Sequence, residues 1–352
     1  MNGPPSDRPR AARGGLVRDP LNGSWTVIAP RRQARPHDTA HPGGATGNDA
    51  LGGDAALGGD AAVGGGAAVS GDCPFCEGRE RLTPPEVDAL RPPGSLPDTP
   101  GWRVRVVPNK FPVFEDGHEV VVHSPRHDLP LRAQPIDEVA DVVATYQRRI
   151  AALCAGGAAA VTVILNPGRA AGASLAHPHS QIFATPIVPP VLVSELEQFA
   201  RYRVKYDRCL LCDVVRATAD EGSRLVFDGP IVAWAPDASR WPYEVRLAPR
   251  AHEPDFLRAE PGAVAAALKR VLAAIATATG DAPLNAWLHT VPCPAATPER
   301  GEPAPPFHWH FEVAPRLTTL AGFELGTGIA IDTVEPREAA ARLRAALPES
   351  VS

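Results

Sequence analysis

His118-Glu-Val-Val-Val-His-Ser-Pro-Arg-His127 is the stretch on which the reading of the fold turns. Its Val-rich start has the composition of a β-strand, and a histidine closes it. Tyr243-Glu-Val-Arg-Leu-Ala-Pro-Arg-Ala-His252 repeats that plan in the second half of the chain. Working outward, Cys73-Pro-Phe-Cys76 precedes the first stretch and Cys209-Leu-Leu-Cys212 precedes the second. His177-Pro-His179 follows the first, and His308-Trp-His310 follows the second. Three elements recurring in one order predict an α+β fold of two duplicated units, each an antiparallel sheet with helices packed on it.

At 352 residues the chain is long enough for two such units, expected over residues 1–190 and 191–352. Within the first, residues 38–71 are rich in Gly, Ala and Asp, with Leu-Gly-Gly-Asp-Ala-Ala at 51–56 nearly repeated at 57–62. That segment lacks side chains to bury and is expected to be a flexible loop. Strands are expected at Ser24–Ala29, Trp102–Val107, Glu119–His123 and Ala160–Leu165. Apolar positions at helical spacing predict helices over Ile136–Cys154, Val191–Lys205, Val264 to Ile275 and Glu335–Ala346. Gly280 is the expected stop of the third helix, and Pro336 lies near the start of the fourth.

The formal charge is only -5, with no long Lys/Arg block, which argues against an extended nucleic-acid footprint. No stretch reads as the roughly 20 apolar residues of a membrane span, and no apolar run follows the N-terminal arginines. A cytoplasmic location is the resulting expectation. Four of the six cysteines fall in the two C-x-x-C pairs, a spacing that suits metal binding in a reducing compartment. Two thiolates on a hairpin turn leave two positions of a tetrahedral ion for imidazoles. The candidate sets are Cys73, Cys76, His127 and His177, and Cys209, Cys212, His252 and His308. Such soft ligands favour zinc over magnesium or calcium, giving two zinc ions per chain. Cys154 and Cys293 are read as ordinary buried or loop thiols.

The remaining chemistry lies in Asn166-Pro-Gly-Arg-Ala-Ala-Gly-Ala-Ser174-Leu-Ala-His177-Pro-His179-Ser-Gln181. A neutral imidazole is a good nucleophile near pH 7, and its bond to phosphorus is labile enough to turn over. His179 is the candidate, with proline separating it from His177. Gln181 lies on the same strand face as His179, where its amide can donate to a phosphoryl oxygen.

This run resembles the active-site signature of the galactose-1-phosphate uridylyltransferase family, in the histidine-triad superfamily. The resemblance implies that His179 takes up a nucleotidyl group while His177 serves a zinc with Cys73, Cys76 and His127. Superfamily hydrolases carry a third histidine where this chain has Gln181, so transfer is implied rather than hydrolysis. Arg18-Asp-Pro-Leu-Asn-Gly-Ser-Trp25 and the arginines after it resemble the family's N-terminal segment, whose two arginines meet diphosphate oxygens. Arg32 and Arg35 are the matching positions, and guanidinium forks suit that task. Asn109 matches a nucleotide contact, Asn166 and Ser174 match phosphate contacts, and Glu324 matches an acceptor for sugar hydroxyls. Some members bind their second metal through Glu and three His, here Glu195, His289, His308 and His310. The implied reaction exchanges UMP between UDP-glucose and galactose 1-phosphate, in a homodimer. Its rivals are an ADP- or GDP-sugar phosphorylase of the same superfamily and a catalytically idle zinc protein.

Overall fold

The structure, a computed structural model, describes residues 15–34, 73–293 and 306–348. The Gly/Ala-rich segment at 38–71 and Arg35 lie outside the described residues. The first half holds β1 (Leu16–Arg18), β2 (Trp25–Ile28), β3 (Asp88–Leu90), β4 (Val104–Pro108) and β5 (His118–Val122). Helix α1 (Ile136–Ala155), β6 (Ala160–Leu165) and β7 (His179–Thr185) complete it. Next come α2 (Pro190–Tyr206), α3 (Leu210–Glu221), β8 (Leu225–Phe227), β9 (Ile231–Trp234) and β10 (Val245–Pro249). The chain continues through α4 (Pro261–Thr279), β11 (Leu284–His289) and β12 (His310–Pro315). It closes with α5 (Gly322–Thr327), β13 (Ala330–Asp332) and α6 (Pro336–Ala345).

Ten strands form one antiparallel sheet in the order β3-β4-β5-β7-β6-β11-β12-β10-β9-β8. Read inward from either edge, the five strands follow one succession: first, second, third, fifth, fourth. A helix, α1 or α4, sits between the third and fourth strand of each five. The fives meet where β6 pairs with β11 through Leu165↔Ala286 and Ile164↔Trp287. A smaller sheet, β1-β2-β13, stands apart from the large one.

Strand alternation decides which side chains face the helices. Val121 of β5, Ile182 and Ala184 of β7, Ala286 and Leu288 of β11, and Phe311 and Val313 of β12 enter one core with α1, α4 and α6. The intervening residues therefore share the opposite face: His179 and Gln181 on β7, Trp287 and His289 on β11, His310 and Glu312 on β12. Near the first half of that face Trp102, Val107, Val120 and Val122 cluster with Phe75. Near the second, α2 and α3 pack through Leu192, Phe199, Leu211 and Val215 against Trp234 and Phe307.

Three expectations change. Helix α4 is, at 19 residues and mean hydropathy 1.4, long and apolar enough to cross a membrane. It is instead a core helix, with Val264, Leu268, Val271 and Ile275 buried against the sheet and α1. Only the first C-x-x-C is a turn, closed by Cys76 N–H donating to the Cys73 carbonyl at 3.2 Å. The second opens a helix: Cys209 is the N-cap of α3 and Cys212 lies in its first turn. Cys154 and Cys293 form a disulfide, with Cα atoms 5.2 Å apart. The fold brings the last turn of α1 against the segment leaving β11, where Cys293 N–H donates to the Ala159 carbonyl at 3.0 Å.

Candidate active site and metal centres

The loop from β6 to β7 carries the candidate nucleophile. Its close turn needs glycine: Gly168 has φ +97°, and a Cβ there would meet Pro283 Cβ at 2.8 Å. The chain re-enters the sheet at His179, whose Nδ1 lies 2.7 Å from the His177 carbonyl oxygen. A carbonyl only accepts, so Nδ1 carries the proton and Nε2 keeps its lone pair. Burial holds His179 below its ordinary value, so the ring is neutral at pH 7. The Phe75 ring meets it edge-on with centroids 5.3 Å apart. Beside His179 opens a cavity of about 240 Å³ whose polar lining includes Asn166, His123, Arg132 and Asp281. Arg132 and Asp281 are themselves ion-paired at 3.1 Å.

The other candidate residues divide by place. Asn166 is in that cavity, its Oδ1 accepting from Asn285 Nδ2 at 2.7 Å. Gln181 follows His179 on the same face of β7, and its Oε1 lies 2.8 Å from His118 Nε2. Asn109 sits against the same imidazole, with Nδ2 3.0 Å from His118 Nε2. Ser174 is exposed in the loop, and Arg32 is exposed in a short 3-10 helix after β2. Glu324 lies on α5, where its carboxylate accepts from Ala321 N–H at 3.1 Å and caps its own helix. The structure thus gathers His179, Gln181, Asn166 and Asn109, and holds Arg32 and Glu324 on other elements.

Both Cys/His sets assemble. In the first, Cys76 Sγ is 3.4 Å from His127 Nδ1 and 3.7 Å from His177 Nδ1, and Cys73 Sγ is 3.8 Å from the latter. In the second, Cys209 and Cys212 Sγ lie 3.7 and 3.5 Å from His308 Nδ1, and His252 Nδ1 is 3.6 Å from Cys212. A tetrahedron with Zn–S of ~2.3 Å and Zn–N of ~2.05 Å has an S···N edge of about 3.6 Å. The donor sets therefore fit a tetrahedral ion. Each buried histidine is also oriented from behind. His177 Nε2–H donates to the Ser124 carbonyl at 2.8 Å and His308 Nε2–H to the Pro249 carbonyl at 3.0 Å, aiming both Nδ1 lone pairs at the thiols. Burial, then the neighbouring Cys73, push the Cys76 thiol up to about 11. An ion binding there would have to displace that proton.

A third group, Glu195, His289, His310 and Glu312, places its ligand atoms within 4.8 Å of one another. The sequence put His308 in this set, but its ring is turned to the cysteines and Glu312 stands in its place. His289 Nδ1 lies 3.0 Å from both Glu195 oxygens. His310 repeats the His179 geometry, its Nδ1 3.1 Å from the His308 carbonyl. Burial would raise Glu312, but Arg246 and Arg240 outweigh it and bring its carboxyl down to about 2. Arg246 donates to Glu312 at 3.1 Å and to Asp19 at 3.0 Å, tying the N-terminal segment to the large sheet.

The family model described as galactose-1-phosphate uridyl transferase, N-terminal domain, matches residues 116–189, the span from β5 to the end of β7. A solved structure of a uridylyltransferase mutant is 32% identical, covering 79% of this chain and 94% of its own, with a TM-score of 0.63. The chain belongs to the galactose-1-phosphate uridylyltransferase family. Its similarity to individual members is mixed. A galactose-1-phosphate uridylyltransferase of Thermotoga maritima is 28% identical over 78% of this chain and 89% of its own. The crystal structure of an ADP-glucose phosphorylase from Arabidopsis thaliana, with bound ADP-glucose, is 28% identical at a TM-score of 0.76. That likeness covers 94% of this chain and 98% of that one.

Against the family signature, three features escaped the sequence reading. His118 opens the stretch that decides the fold, yet nothing in its spacing ties it to Gln181. Glu312 occupies on β12 the place of Gln181 on β7, two residues after a histidine, and that echo was legible. The Cys154–Cys293 pairing bridges a sequence separation of 139 and had no local signal.

Proposed function

We propose that the protein transfers nucleotidyl groups between sugar phosphates through a nucleotidyl-His179 intermediate. The observation that carries the reading is the imidazole of His179, neutral, with Nδ1–H held by the His177 carbonyl and its Nε2 lone pair free beside the cavity. Nε2 attacks the α-phosphorus of a nucleotide sugar. A phosphorus–nitrogen bond forms, the bond from that phosphorus to the bridging oxygen breaks, and the sugar 1-phosphate leaves. The Nδ1–H···O=C contact shares the positive charge the ring gains. A second phosphate then attacks the same phosphorus and frees His179. Gln181 donates to a phosphoryl oxygen, Asn166, Ser174, Arg32 and Arg35 hold phosphate oxygens, and Asn109 and Glu324 meet the nucleoside and the sugar.

Zinc in the first set would be held by Cys73, Cys76, His127 and His177, and in the second by Cys209, Cys212, His252 and His308. Bound zinc supplies rigidity and folding free energy. Fixing His177 also fixes the carbonyl that orients His179. The repeated strand succession supports two copies of one histidine-triad-like unit, divided near residue 190, of which the first carries the chemistry. In the second copy a buried carboxylate, Glu312, stands where a donor would be needed. A cytoplasmic homodimer completes the reading.

For the donor, the family signature favours UDP-glucose with galactose 1-phosphate as acceptor. A second reading, ADP-glucose with inorganic phosphate, is supported by likeness to the ADP-glucose phosphorylase along nearly the whole chain. Assays with UDP-, ADP- and GDP-glucose, each with galactose 1-phosphate or inorganic phosphate, separate them. A fitted base pocket should give one pairing at least roughly 100-fold higher kcat/KM than the others. Preferred use of ADP-glucose with phosphate overturns the uridylyltransferase reading, and inactivity with every pair overturns both.

A further inference from the structure

We propose that His118 is a positioning residue that fixes the side-chain amide of Gln181 with its NH2 end free for the phosphoryl group. His118 begins β5, buried, one strand over from Gln181. Three contacts hold its ring. Its face stacks on Phe183 with centroids 4.1 Å apart and planes 25° apart. Nδ1 lies 3.1 Å from the backbone N–H of Val113, and Nε2 lies 2.8 Å from Gln181 Oε1.

The ring's hydrogen bonds fix its tautomer. The Val113 N–H can only donate, so His118 Nδ1 must keep its lone pair and the single ring proton sits on Nε2. An Nε2–H facing Gln181 requires an acceptor there, which makes the near end of that amide the oxygen. Burial holds His118 below its ordinary value, so a second ring proton does not blur the choice. Flipping Gln181 would set its NH2 against Nε2–H, two donors in contact. A free glutamine amide has no such preference and spends part of its time with oxygen towards the phosphate, where two negative dipoles would repel. A backbone amide in the turn before β5 thus decides, through one imidazole, which end of Gln181 meets substrate.

Asn109 meets the same ring nitrogen but is not satisfied by it. Its Oδ1 accepts from Phe111 N–H at 2.8 Å, so Nδ2 faces His118 Nε2 at 3.0 Å. With the proton on Nε2 that contact pairs donor with donor. The Asn109 NH2 is left without an acceptor in His118, and a ligand oxygen is the natural one.

The inference rests on the proposed nucleotidyl transfer for what Gln181 contacts, but the orientation itself is read without turnover. Long-range 1H–15N spectra of histidine-labelled full-length protein should show His118, assigned by its loss in H118F, protonated on Nε2 and not Nδ1 from pH 6 to 8. An Nδ1-protonated ring overturns the proposal. Kinetically, H118F keeps a ring to stack on Phe183 but has no donor, and should lower kcat about 10- to 100-fold with little change in KM, the scale of one misplaced oxyanion donor. H118Q, which restores an N–H donor, should recover part of the loss. The double variant H118F/Q181A should be no slower than Q181A alone, since His118 acts through Gln181. Additive losses, or equal losses in H118F and H118Q, overturn the positioning role. Should H118F fail to fold, H118Q supplies the assignment and its own cycle with Q181A. A wild-type protein inactive with both UDP-glucose and ADP-glucose refutes the proposed function instead, while the spectra still decide the orientation of Gln181.

Discussion

Single side chains carry the candidate chemistry, and each does so because a backbone group has fixed it. His179 offers Nε2 because the His177 carbonyl takes Nδ1–H. The same device turns His177 and His308 towards their cysteines from the Ser124 and Pro249 carbonyls. Gln181→Ala should therefore lower kcat about 100-fold or more while leaving KM within a few-fold, because its donor acts on charge that develops in the transition state. Steady-state kinetics decide it, and a rise in KM at constant kcat would assign Gln181 to ground-state binding instead. These residue types could be read from the chain because histidine, cysteine and glutamine at fixed spacings have few other uses. Tautomers could not, since they depend on carbonyls and amides that only the fold brings within reach. Arg32 and Glu324 show the converse: the motif names them, while the structure gives each only local contacts.

Elements were legible where their period was strong. Helix α1 and strand β6 fall where the pattern of apolar residues places them, and α4 stops at Gly280, whose backbone is left-handed. The start of α3 was not legible, because Cys209-Leu-Leu-Cys212 fits a turn and a helix start equally and its neighbours decide. The disulfide between the end of α1 and the segment after β11 encloses six strands, β6 to β11, and three helices, α2 to α4, so its loss should act chiefly on the unfolded chain. Cys154→Ser should cost about 2–4 kcal/mol. Thiol reduction of the wild-type protein should reproduce the fall in Tm, and an unchanged Tm in both would contradict a formed bridge. Strand β13 gives a pH test. Burial, then the charges of Glu244 and Glu335, raise Asp332 from 3.8 to about 8 in the folded protein. The folded state thus holds a proton that the unfolded state has released, and stability falls as pH rises between those values, by at most about 1.4 kcal/mol per pH unit. Asp332→Asn keeps the acceptor for Val334 N–H and should raise Tm relative to wild type more at pH 8.5 than at pH 5.5. Equal shifts at both pH values would contradict a buried neutral acid.

At the scale of the molecule, one ten-stranded sheet places the candidate nucleophile and the third acid–histidine group on the same face, opposite α1, α4 and α6. The repeat predicts that layout, because two copies side by side expose equivalent strand positions to the same side. What it could not predict is that the two sets of five strands join edge to edge through β6 and β11, since two residue pairs set that register. Two zinc ions should be recovered per chain by metal analysis, and Cys73→Ser and Cys209→Ser should each remove one and lower Tm. Full metal content in Cys209→Ser would move the second ion to the group around Glu195. The central claim is covalent catalysis by His179, and trapping the intermediate tests it most directly. Protein mixed with UDP-glucose or ADP-glucose labelled at the α-phosphorus, quenched in base and digested, should carry acid-labile, base-stable label on the peptide holding His179. His179→Ala should carry none. Wild-type protein that turns over either donor without trapping label, or label that persists in His179→Ala, would contradict the account.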